Sequence, residues 1–377
     1  METKKTGSFL SGGTIVLLVL MAIGAYAAIY RFAFGLGAST DLQDNFPWGL
    51  WVGFDVLSGV ALAAGGFTVT AAVYIFNMKK YKPIARPAVL TAFIGYLMVI
   101  VGLIVDIGKP LSFWHPLVMW NHHSIMFEVV WCITLYTTVL ALEFSSAFLE
   151  KWGWTGALKV MKGLTFPLVI AGIILSYLHQ SSLGAFFLIV PAKLNPIWYS
   201  PIIPQLFYLS AIALGLAMVT FESVVSARAF GREQEKEIVS GLGKGTSIAL
   251  LVYLAVRVAD LIVRGAMPMV FQGGAASTAF LIEIVVGVVL PMILLSMKST
   301  RESVNGTLLS VSLVIAGIVM NRFNVTFFAQ TSSGASYFPT WKEFAITIGL
   351  VSLAIFLYRL AAMYLPVFHP AGAKTGR

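Results

Sequence analysis

The chain has 377 residues, of which 58% are hydrophobic and 11% are charged, and its formal net charge is +9. Soluble domains carry roughly 25% charged residues, so this composition excludes a water-soluble enzyme, a disordered scaffold and a disulfide-rich secreted module. The single cysteine, Cys132, excludes an internal disulfide and any iron–sulfur cluster or thiolate zinc site held by this chain alone. We therefore predict an all-α polytopic membrane protein, with a single integral-membrane domain over residues 1–377.

Ten apolar runs follow one another along the chain, each long enough to cross a bilayer, which needs about 20 residues of helix. Their connections are short and rich in turn formers, so the chemistry must lie in the bilayer or at its edge. Spans two to five (48–190) are predicted to form one four-helix bundle and spans six to nine (204–328) a second, with the first and last helices flanking them. The spans are placed near Thr14–Phe34, Trp48–Asn77, Arg86–Gly108, Ser124–Leu149, Lys162–Val190, Pro204–Arg228, Gly245–Gly265, Ser277–Met297, Gly306–Phe328 and Trp341–Leu365.

The basic residues are concentrated in every second loop, so the positive-inside rule places those loops and both termini in the cytoplasm. This distribution explains the net charge without nucleic acid as a partner. The first span has a second interpretation, because two lysines, an apolar run and Ala25-Tyr26-Ala27 resemble a secretory signal peptide; the run continues to Phe34, however, which favours a membrane span. The loop and terminal residues that set the orientation include Lys4, Lys5, Lys79, Lys80, Lys82, Arg86, Lys151, Lys159, Arg228, Arg232, Lys236, Lys244, Lys298, Arg301, Lys374 and Arg377.

Ionisable side chains inside the predicted spans are the strongest functional signal, because each is costly in a bilayer unless it is paired or solvated. One outer cluster lies in spans seven to nine, where Arg257, Asp260 and Arg264 share a helix face at spacings of three and four residues. With Glu283 and Arg322 this cluster can neutralise itself, which indicates a structural ion-pair network. Two further acids lie nearer the inner ends of their spans and are candidates for a proton path: Glu143 and Glu222.

The other outer cluster, in spans two to five, contains three carboxylates and a histidine: Asp55, Asp106, Glu128 and His179, with only Lys109 nearby. Such a set cannot ionise completely at low cost, so it is suited to accepting and donating protons. We therefore expect this first cluster to be the functional one.

Neighbouring residues support that expectation. Trp51 and Asp55 share one helix face, and His179-Gln180-Ser181-Ser182 places four consecutive polar side chains at membrane depth, although a lone histidine in a span is commonly a satisfied helix-to-helix hydrogen bond. His122 and His123 lie at the predicted outer end of this cluster. They either relay protons or are exposed in a hydrated loop without a function.

The histidines do not suit haem, because a bilayer cytochrome with axial histidine pairs needs two ligands per haem from facing helices and only His179 lies well inside a span. Two haems are excluded and one is disfavoured. A zinc or copper site from His122, His123 and Glu128 lacks the usual ligand spacing. We expect no metal and no haem in this chain.

Seven motifs carry a family resemblance: Phe46–Trp51, Phe54-Asp55 leading to Gly65-Gly66, Val105–Gly108, Phe127-Glu128, Ala141–Phe144, His179–Gly184 and Tyr337–Trp341. Through them the chain resembles the NrfD/polysulfide-reductase (PsrC) family of integral-membrane subunits, and within it the HybB-like membrane subunits of nickel–iron hydrogenases. The resemblance covers nearly the whole chain. It is less specific among sister complexes, because related subunits serve multihaem cytochrome complexes.

The resemblance implies a haem-free, quinone-reactive subunit in a bacterial inner membrane. It implies that an iron–sulfur partner, with its hydrogenase or cytochrome subunits, docks on the outer face and passes electrons to menaquinone or ubiquinone, bound as a substrate near that face in the first bundle. Carried over by position, the residues for quinone binding or proton transfer are Trp51, Asp55, Asp106, His122, His123, Glu128 and His179, and the polar run adds Gln180 and Ser181.

The residue chemistry leads to a related hypothesis, because quinone reduction consumes two electrons and two protons and needs proton donors and an external electron source. The leading function is therefore the quinone-reactive subunit of an uptake hydrogenase, with proton translocation left open. The alternatives are a homologous subunit of a multihaem cytochrome or sulfur-metabolism complex, a proton-coupled secondary transporter, and a purely structural anchor. Transporters usually have broken helices that meet at the midplane, whereas this polar cluster is offset outward.

Overall fold

The computed structural model describes residues 11–44, 46, 48–329 and 336–368. Within these ranges the chain forms helices and turns, with no strand beyond one isolated bridge between Gln43 and Phe46. Ten helices of the described chain are long and apolar enough to cross a membrane, which confirms the predicted all-α polytopic class. They are α1 (Gly12–Phe34), α2 (Trp51–Ile75), α3 (Lys79–Asp106), α4 (Ile125–Lys151), α5 (Thr155–Ile189), α6 (Ile203–Ala229), α7 (Lys236–Val263), α8 (Gly274–Ser296), α9 (Val304–Thr326) and α10 (Trp341–Tyr364).

Some residues used in the sequence analysis cannot be placed. They lie outside the described residues and are Lys4, Lys5, Pro47, Lys374 and Arg377. The contribution of the terminal basic residues to the predicted orientation therefore stays a prediction.

Three helices begin well before the apolar runs that predicted them. Helix α3 begins at Lys79 rather than Arg86, α5 at Thr155 rather than Lys162, and α7 at Lys236 rather than Gly245. The added turns each carry at least one lysine, which lowers their hydropathy, although the helical backbone continues. Helix α7 has 28 residues, which gives about 42 Å of helix against roughly 30 Å of hydrocarbon. Its first turns therefore project into the interfacial region.

Helix α2 occupies the middle of the molecule, where small residues allow close packing on two sides. A Cβ added to Gly65 would lie 2.9 Å from the backbone oxygen of Gly215 on α6, and one added to Gly66 would lie 2.6 Å from the Cβ of Ala92 on α3. Two stretches of α2, Trp51–Ser58 and Ala71–Ile75, are π-helical. Such turns are frequent at functional sites, because they re-aim side chains within a helix.

The other helices pack around this centre. Helix α3 contacts α2 and α4, α4 contacts α5, and α5 also contacts α2 and α6. Helices α6 to α9 contact one another in a second group, and α2 also touches α9. The fold thus surrounds the buried part of α2 with helices from both groups.

Helices α1 and α10 form a tightly packed pair at the edge of the molecule. A Cβ on Gly24 would lie 2.8 Å from the Cα of Gly349, so two glycines set the distance between these backbones. Helix α10 also packs on α2 and α3, and it therefore holds α1 against the first group of helices.

Candidate functional site

The π-helical start of α2 directs two of the predicted residues towards α10. Trp51 is buried and donates from Nε1 to the backbone oxygen of Glu343 at 3.4 Å. Asp55 is 7% exposed, and its Oδ2 accepts a hydrogen bond of 2.7 Å from the Thr347 hydroxyl. Gly102 of α3 leaves room for Asp55, since a Cβ on that glycine would lie 2.9 Å from the Asp55 Cβ. Asp55 is therefore held between α2, α3 and α10.

The expectation that only Lys109 lies near the outer acids is wrong for Asp106. Arg31 of α1, only 2% exposed, donates from Nε and Nη2 to the backbone oxygens of Val105 and Ile107, at 2.7 Å each. Its charge acts on Asp106, whereas Lys109 is exposed. The sequence could not indicate this arrangement, because α1 meets the end of α3 only through the tertiary packing of α1 against α10.

Trp51, Asp55 and Asp106 form an outer group. Glu343 and Tyr337 complete it, and neither was among the predicted site residues. Glu343 forms a reciprocal capping box with Thr340 at the start of α10, and it accepts a short hydrogen bond from the Tyr337 hydroxyl. The same hydroxyl accepts from the backbone N–H of Leu50 at 2.9 Å. Burial, assisted by the Glu343 hydrogen bond, raises the pKa of the Tyr337 phenol, so this hydroxyl stays protonated. The Thr-x-x-Glu spacing is a sequence signal that could have located Glu343.

The polar run of α5 lies in a second group, among α2, α3 and α4. His179 is 0% exposed, and its Nδ1 is 2.9 Å from the hydroxyl of Tyr96 on α3. Gln180 donates from Nε2 to the backbone oxygen of Val60 on α2 at 3.0 Å. Ser182 donates to Oε1 of Glu128 at 2.7 Å, which joins α5 to the first turn of α4.

This second group contains most of the unpaired polar atoms in the described part of the chain. Nine buried side-chain nitrogen or oxygen atoms have no well-formed hydrogen bond there, and six of the nine belong to α4 and α5; of these, the Tyr136 hydroxyl still interacts with Ser176 and with the backbone of Phe67. Leaving such an atom unpaired costs roughly 1–3 kcal/mol, so a cluster of them indicates a place prepared for a polar partner. The six atoms are Tyr136 Oη, Thr137 Oγ1, Ser176 Oγ, His179 Nε2, Gln180 Oε1 and Ser181 Oγ.

The first cluster therefore consists of two groups rather than one. Asp55 packs on Gly102 of α3, whereas His179 bonds to Tyr96, six residues earlier on the same helix. Six residues correspond to roughly 120° around a helix and about 9 Å along it. The two groups thus face different sides of α3. Sequence alone predicts one cluster, because position along a span does not show which side of a helix a residue packs against.

The outermost predicted residues are accessible rather than buried. Glu128 is exposed despite its bond to Ser182, and His122 and His123 are exposed in the loop before α4. The His122 ring packs edge-on against Trp120 and Phe127, with 5.6 Å between centroids in each case. Glu128 and both histidines are therefore accessible at this end of the molecule.

The two inner acids have different surroundings. Glu222 of α6 accepts hydrogen bonds from Thr91 at 2.6 Å and from Tyr358 at 2.7 Å, and the charge of Arg232 acts on it. Glu143 is half-buried on α4, and its charge acts on Tyr136 two turns away. Of the two, Glu143 is thus electrostatically linked to the second group.

The polar residues of spans seven to nine form one ion-pair cluster and one hydrogen-bond chain. Asp260 accepts from Arg264 at 2.8 Å and from Ser200 at 2.6 Å, and it lies 3.6 Å from Arg257. These contacts join α7 to the loop between α5 and α6.

Glu283 and Arg322 do not meet directly; Asn321 connects them. Asn321 donates to Glu283 at 2.7 Å and accepts from Arg322 at 2.7 Å, while Asn324 and Trp198 donate to the other carboxylate oxygen at 2.7 and 3.0 Å. The expected neutralisation is therefore carried partly by amide and indole groups, which hydropathy and charge spacing do not reveal.

The residues do not fit bis-histidine haem ligation. Within the described chain His179 is the one histidine inside a span, and one of its two ring nitrogens already bonds to Tyr96. Ligation of that kind needs a second histidine on a facing helix. The described residues also contain no group of three or more histidine, cysteine or acidic side chains that could hold a metal ion.

Comparison with known proteins gives consistent similarities. The family model described as "Polysulphide reductase, NrfD" matches residues 38–333. The chain is 32% identical to the "Probable Ni/Fe-hydrogenase 2 b-type cytochrome subunit" of Escherichia coli K12, over 97% of this chain and 94% of that protein. It is 31% identical to the "Menaquinone reductase, integral membrane subunit" of Nitratidesulfovibrio vulgaris, over 96% and 92% of the two chains. A further protein of N. vulgaris is 39% identical over 96% of both chains.

Proposed function

Because the chain belongs to the NrfD polysulphide reductase family, integral membrane subunits of quinone-linked oxidoreductases, we propose that it is the subunit that binds and reduces quinone. We further propose that its complex is an uptake nickel–iron hydrogenase whose iron–sulfur subunit docks on the outer face. The names of the E. coli and N. vulgaris relatives support these two parts of the proposal. The positive-inside distribution supports a bacterial inner membrane with both termini in the cytoplasm.

The main observation that supports quinone binding is the set of unpaired polar atoms on α4 and α5. A quinone has two carbonyl oxygens that accept hydrogen bonds, and the quinol has two hydroxyls that donate them. The hydroxyls of Tyr136 and Ser181 and the Nε2 of His179 can donate to a quinone carbonyl, and Oε1 of Gln180 can accept from a quinol hydroxyl. This set of residues therefore includes both donors and acceptors, as the two redox states of a quinone require.

In the proposed reaction a quinone takes two electrons and two protons and becomes a quinol. The electrons come from the iron–sulfur partner, since the residues described here do not fit a haem with two histidine ligands. Tyr96 orients the His179 ring through Nδ1, and Ser182 connects the adjacent turn of α5 to Glu128, which is exposed. We propose that protons enter through Glu128, with His122 and His123 at the same end.

The group around Asp55 has a supporting role in this proposal. Asp55 is bonded to Thr347, Asp106 lies in the field of Arg31, and Trp51 is bonded to α10. These contacts fix α2 and α3, whose other faces carry Val60 and Tyr96 of the quinone group. We propose that protons move inward towards Glu143 and, separately, through Glu222.

The test compares Tyr136→Phe with Tyr253→Phe in the complex purified through this subunit. Both tyrosines are buried, and each variant loses one hydroxyl, but Tyr253 lies on α7. Losing one hydrogen bond to the substrate costs roughly 1–1.5 kcal/mol, which is about tenfold in affinity. We expect Tyr136→Phe to raise the KM for quinone about tenfold and lower the bound quinone, with the partner's dye-linked activity unchanged. Equal behaviour of the two variants would overturn the assignment.

The partner assignment has its own measurement. Mass spectrometry of the co-purified subunits should identify a nickel–iron hydrogenase and an iron–sulfur protein. Recovery of a multihaem cytochrome or a molybdenum enzyme instead would reject the hydrogenase part and leave the quinone site intact.

A further inference from the structure

A cavity of about 590 Å³ opens at the end of the molecule where α3 and α7 begin and α8 ends. Small-molecule sites occupy roughly 300–1,000 Å³, so this volume is large enough for a polar headgroup. The cavity lies at the opposite ends of the helices from His179 and Asp55, and the quinone chemistry does not use it. Its wall contains four cations: Lys80, Lys236, Lys244 and Arg301.

The charges of the wall favour an anion. Lys236, Ser240 and Lys244 follow one another at a spacing of four residues, so they line one face of α7. Two carboxylates also line the cavity, but Glu302 already lies 3.6 Å from Lys298, which leaves Glu237 to oppose the four cations. The wall is therefore positive overall.

The local structure fixes two of the cations. Arg301 donates from Nη1 to the backbone oxygens of Leu295 and Ser296, at 2.7 and 2.6 Å, while its Nε is buried and has no partner among the described residues. A Cβ on Gly241 would contact the Tyr81 hydroxyl, so this glycine lets the segment with Tyr81 and Lys80 pack closely on α7. The site is thus held in place by packing.

The depth of the cavity points to a lipid. Helix α7 is longer than the hydrocarbon is thick, so we expect its first turns, which carry Lys236 and Lys244, at the level of the headgroups. Exposed apolar side chains lie a few residues before two of the cations in the chain: Phe76 and Met78 before Lys80, and Met297 before Arg301. A molecule seated here would meet cations at one end and apolar surface beside it.

We propose that this cavity binds the phosphate group of an anionic phospholipid from the leaflet at the basic end of the molecule. Basic pockets between membrane helices are known to suit such headgroups. The phosphate accepts from the lysine ammonium groups, the positive charge of Arg301 attracts it, and the acyl chains lie along the apolar residues before Lys80. The proposal needs only that the chain spans a membrane, so it stands apart from the quinone assignment.

The experiment uses the complex purified through this subunit, delipidated and placed in nanodiscs of phosphatidylcholine with added phosphatidylglycerol or cardiolipin. Bound lipid is measured by native mass spectrometry, and inorganic phosphate is added in a parallel arm. We expect retained anionic lipid, and a weakening of about fivefold for each lysine removed in Lys80→Gln/Lys236→Gln/Lys244→Gln.

The matched control is Lys79→Gln/Lys159→Gln/Lys162→Gln, which removes the same charge from exposed lysines at the same end but outside the cavity. This variant should retain the lipid. Equal loss in the two variants would overturn the proposal, because binding would then depend on net charge alone. Displacement of the lipid by millimolar inorganic phosphate, or equal retention of phosphatidylcholine, would also overturn it.

Discussion

Arg31 offers the sharpest test of how the outer group is built. Replacing it by methionine keeps most of the side-chain length but removes two hydrogen bonds of 2.7 Å to the end of α3. Hydrogen bonds from a charged donor contribute roughly 1.5–3 kcal/mol each, so Arg31→Met should cost about 3 kcal/mol or more. The variant also leaves Asp106 without the positive charge that acts on it.

The charge effect can be separated from the hydrogen bonds by a double-mutant cycle with Asp106→Asn. Once Arg31 is gone, neutralising Asp106 removes an uncompensated negative charge, so the second substitution should be less harmful in that background than in the parent. Coupling energies of contacting or charge-linked residues are roughly 0.5–3 kcal/mol, and we expect a value of at least about 1 kcal/mol.

The free energies would come from unfolding in mixed detergent micelles, with tryptophan fluorescence as the probe. Arg228→Gln is a suitable control, because it removes an arginine hydrogen bond, to Asn305, that is exposed. It should change stability by less than about 0.5 kcal/mol. The reasoning fails if Arg31→Met is neutral, or if its effect and that of Asp106→Asn simply add.

Two further predictions concern helices α7 to α9. Asp260→Asn should destabilise the protein by about 3 kcal/mol, because it leaves Arg257 and Arg264 partly buried without their carboxylate; an unchanged unfolding curve would contradict this. Gly317→Leu should separate α9 from α8, since even a Cβ there would lie 2.2 Å from the Cα of Gly287, and limited proteolysis should then cut the variant faster than the parent.

The number and order of the membrane helices could be predicted because apolar runs of sufficient length have few alternatives in a bilayer. The starts of three of these helices, α3, α5 and α7, could not be predicted. The turns at Lys236–Lys244 are polar, and hydropathy records only the part of a helix that lies in hydrocarbon.

The sequence could predict which ionisable residues inside the spans belong to the candidate site. It could not predict how these residues are arranged relative to one another. Asp55 and His179 pack on α3 at positions about 9 Å apart along the helix and on different sides of it, so only the folded arrangement assigns them to different groups. Arg31 and Glu343 become neighbours of the site through the packing of α1 and α10, which no local pattern encodes. Tyr136 was missed for another reason, because a tyrosine in an apolar span has no distinguishing signal until its hydroxyl is seen to be buried.

The contacts between α2 and α10 have a consequence for synthesis of the protein. Trp51 and Asp55 each bond to a residue 292 positions later. At roughly 5–20 residues per second, a ribosome needs about 15–60 s to make that interval. A newly made α2 therefore stays in the translocon or the lipid without the hydrogen bond from Thr347 to Asp55 until α10 has been synthesised. A chain whose synthesis stops before α10 would lack these bonds and would be accessible to quality-control proteases.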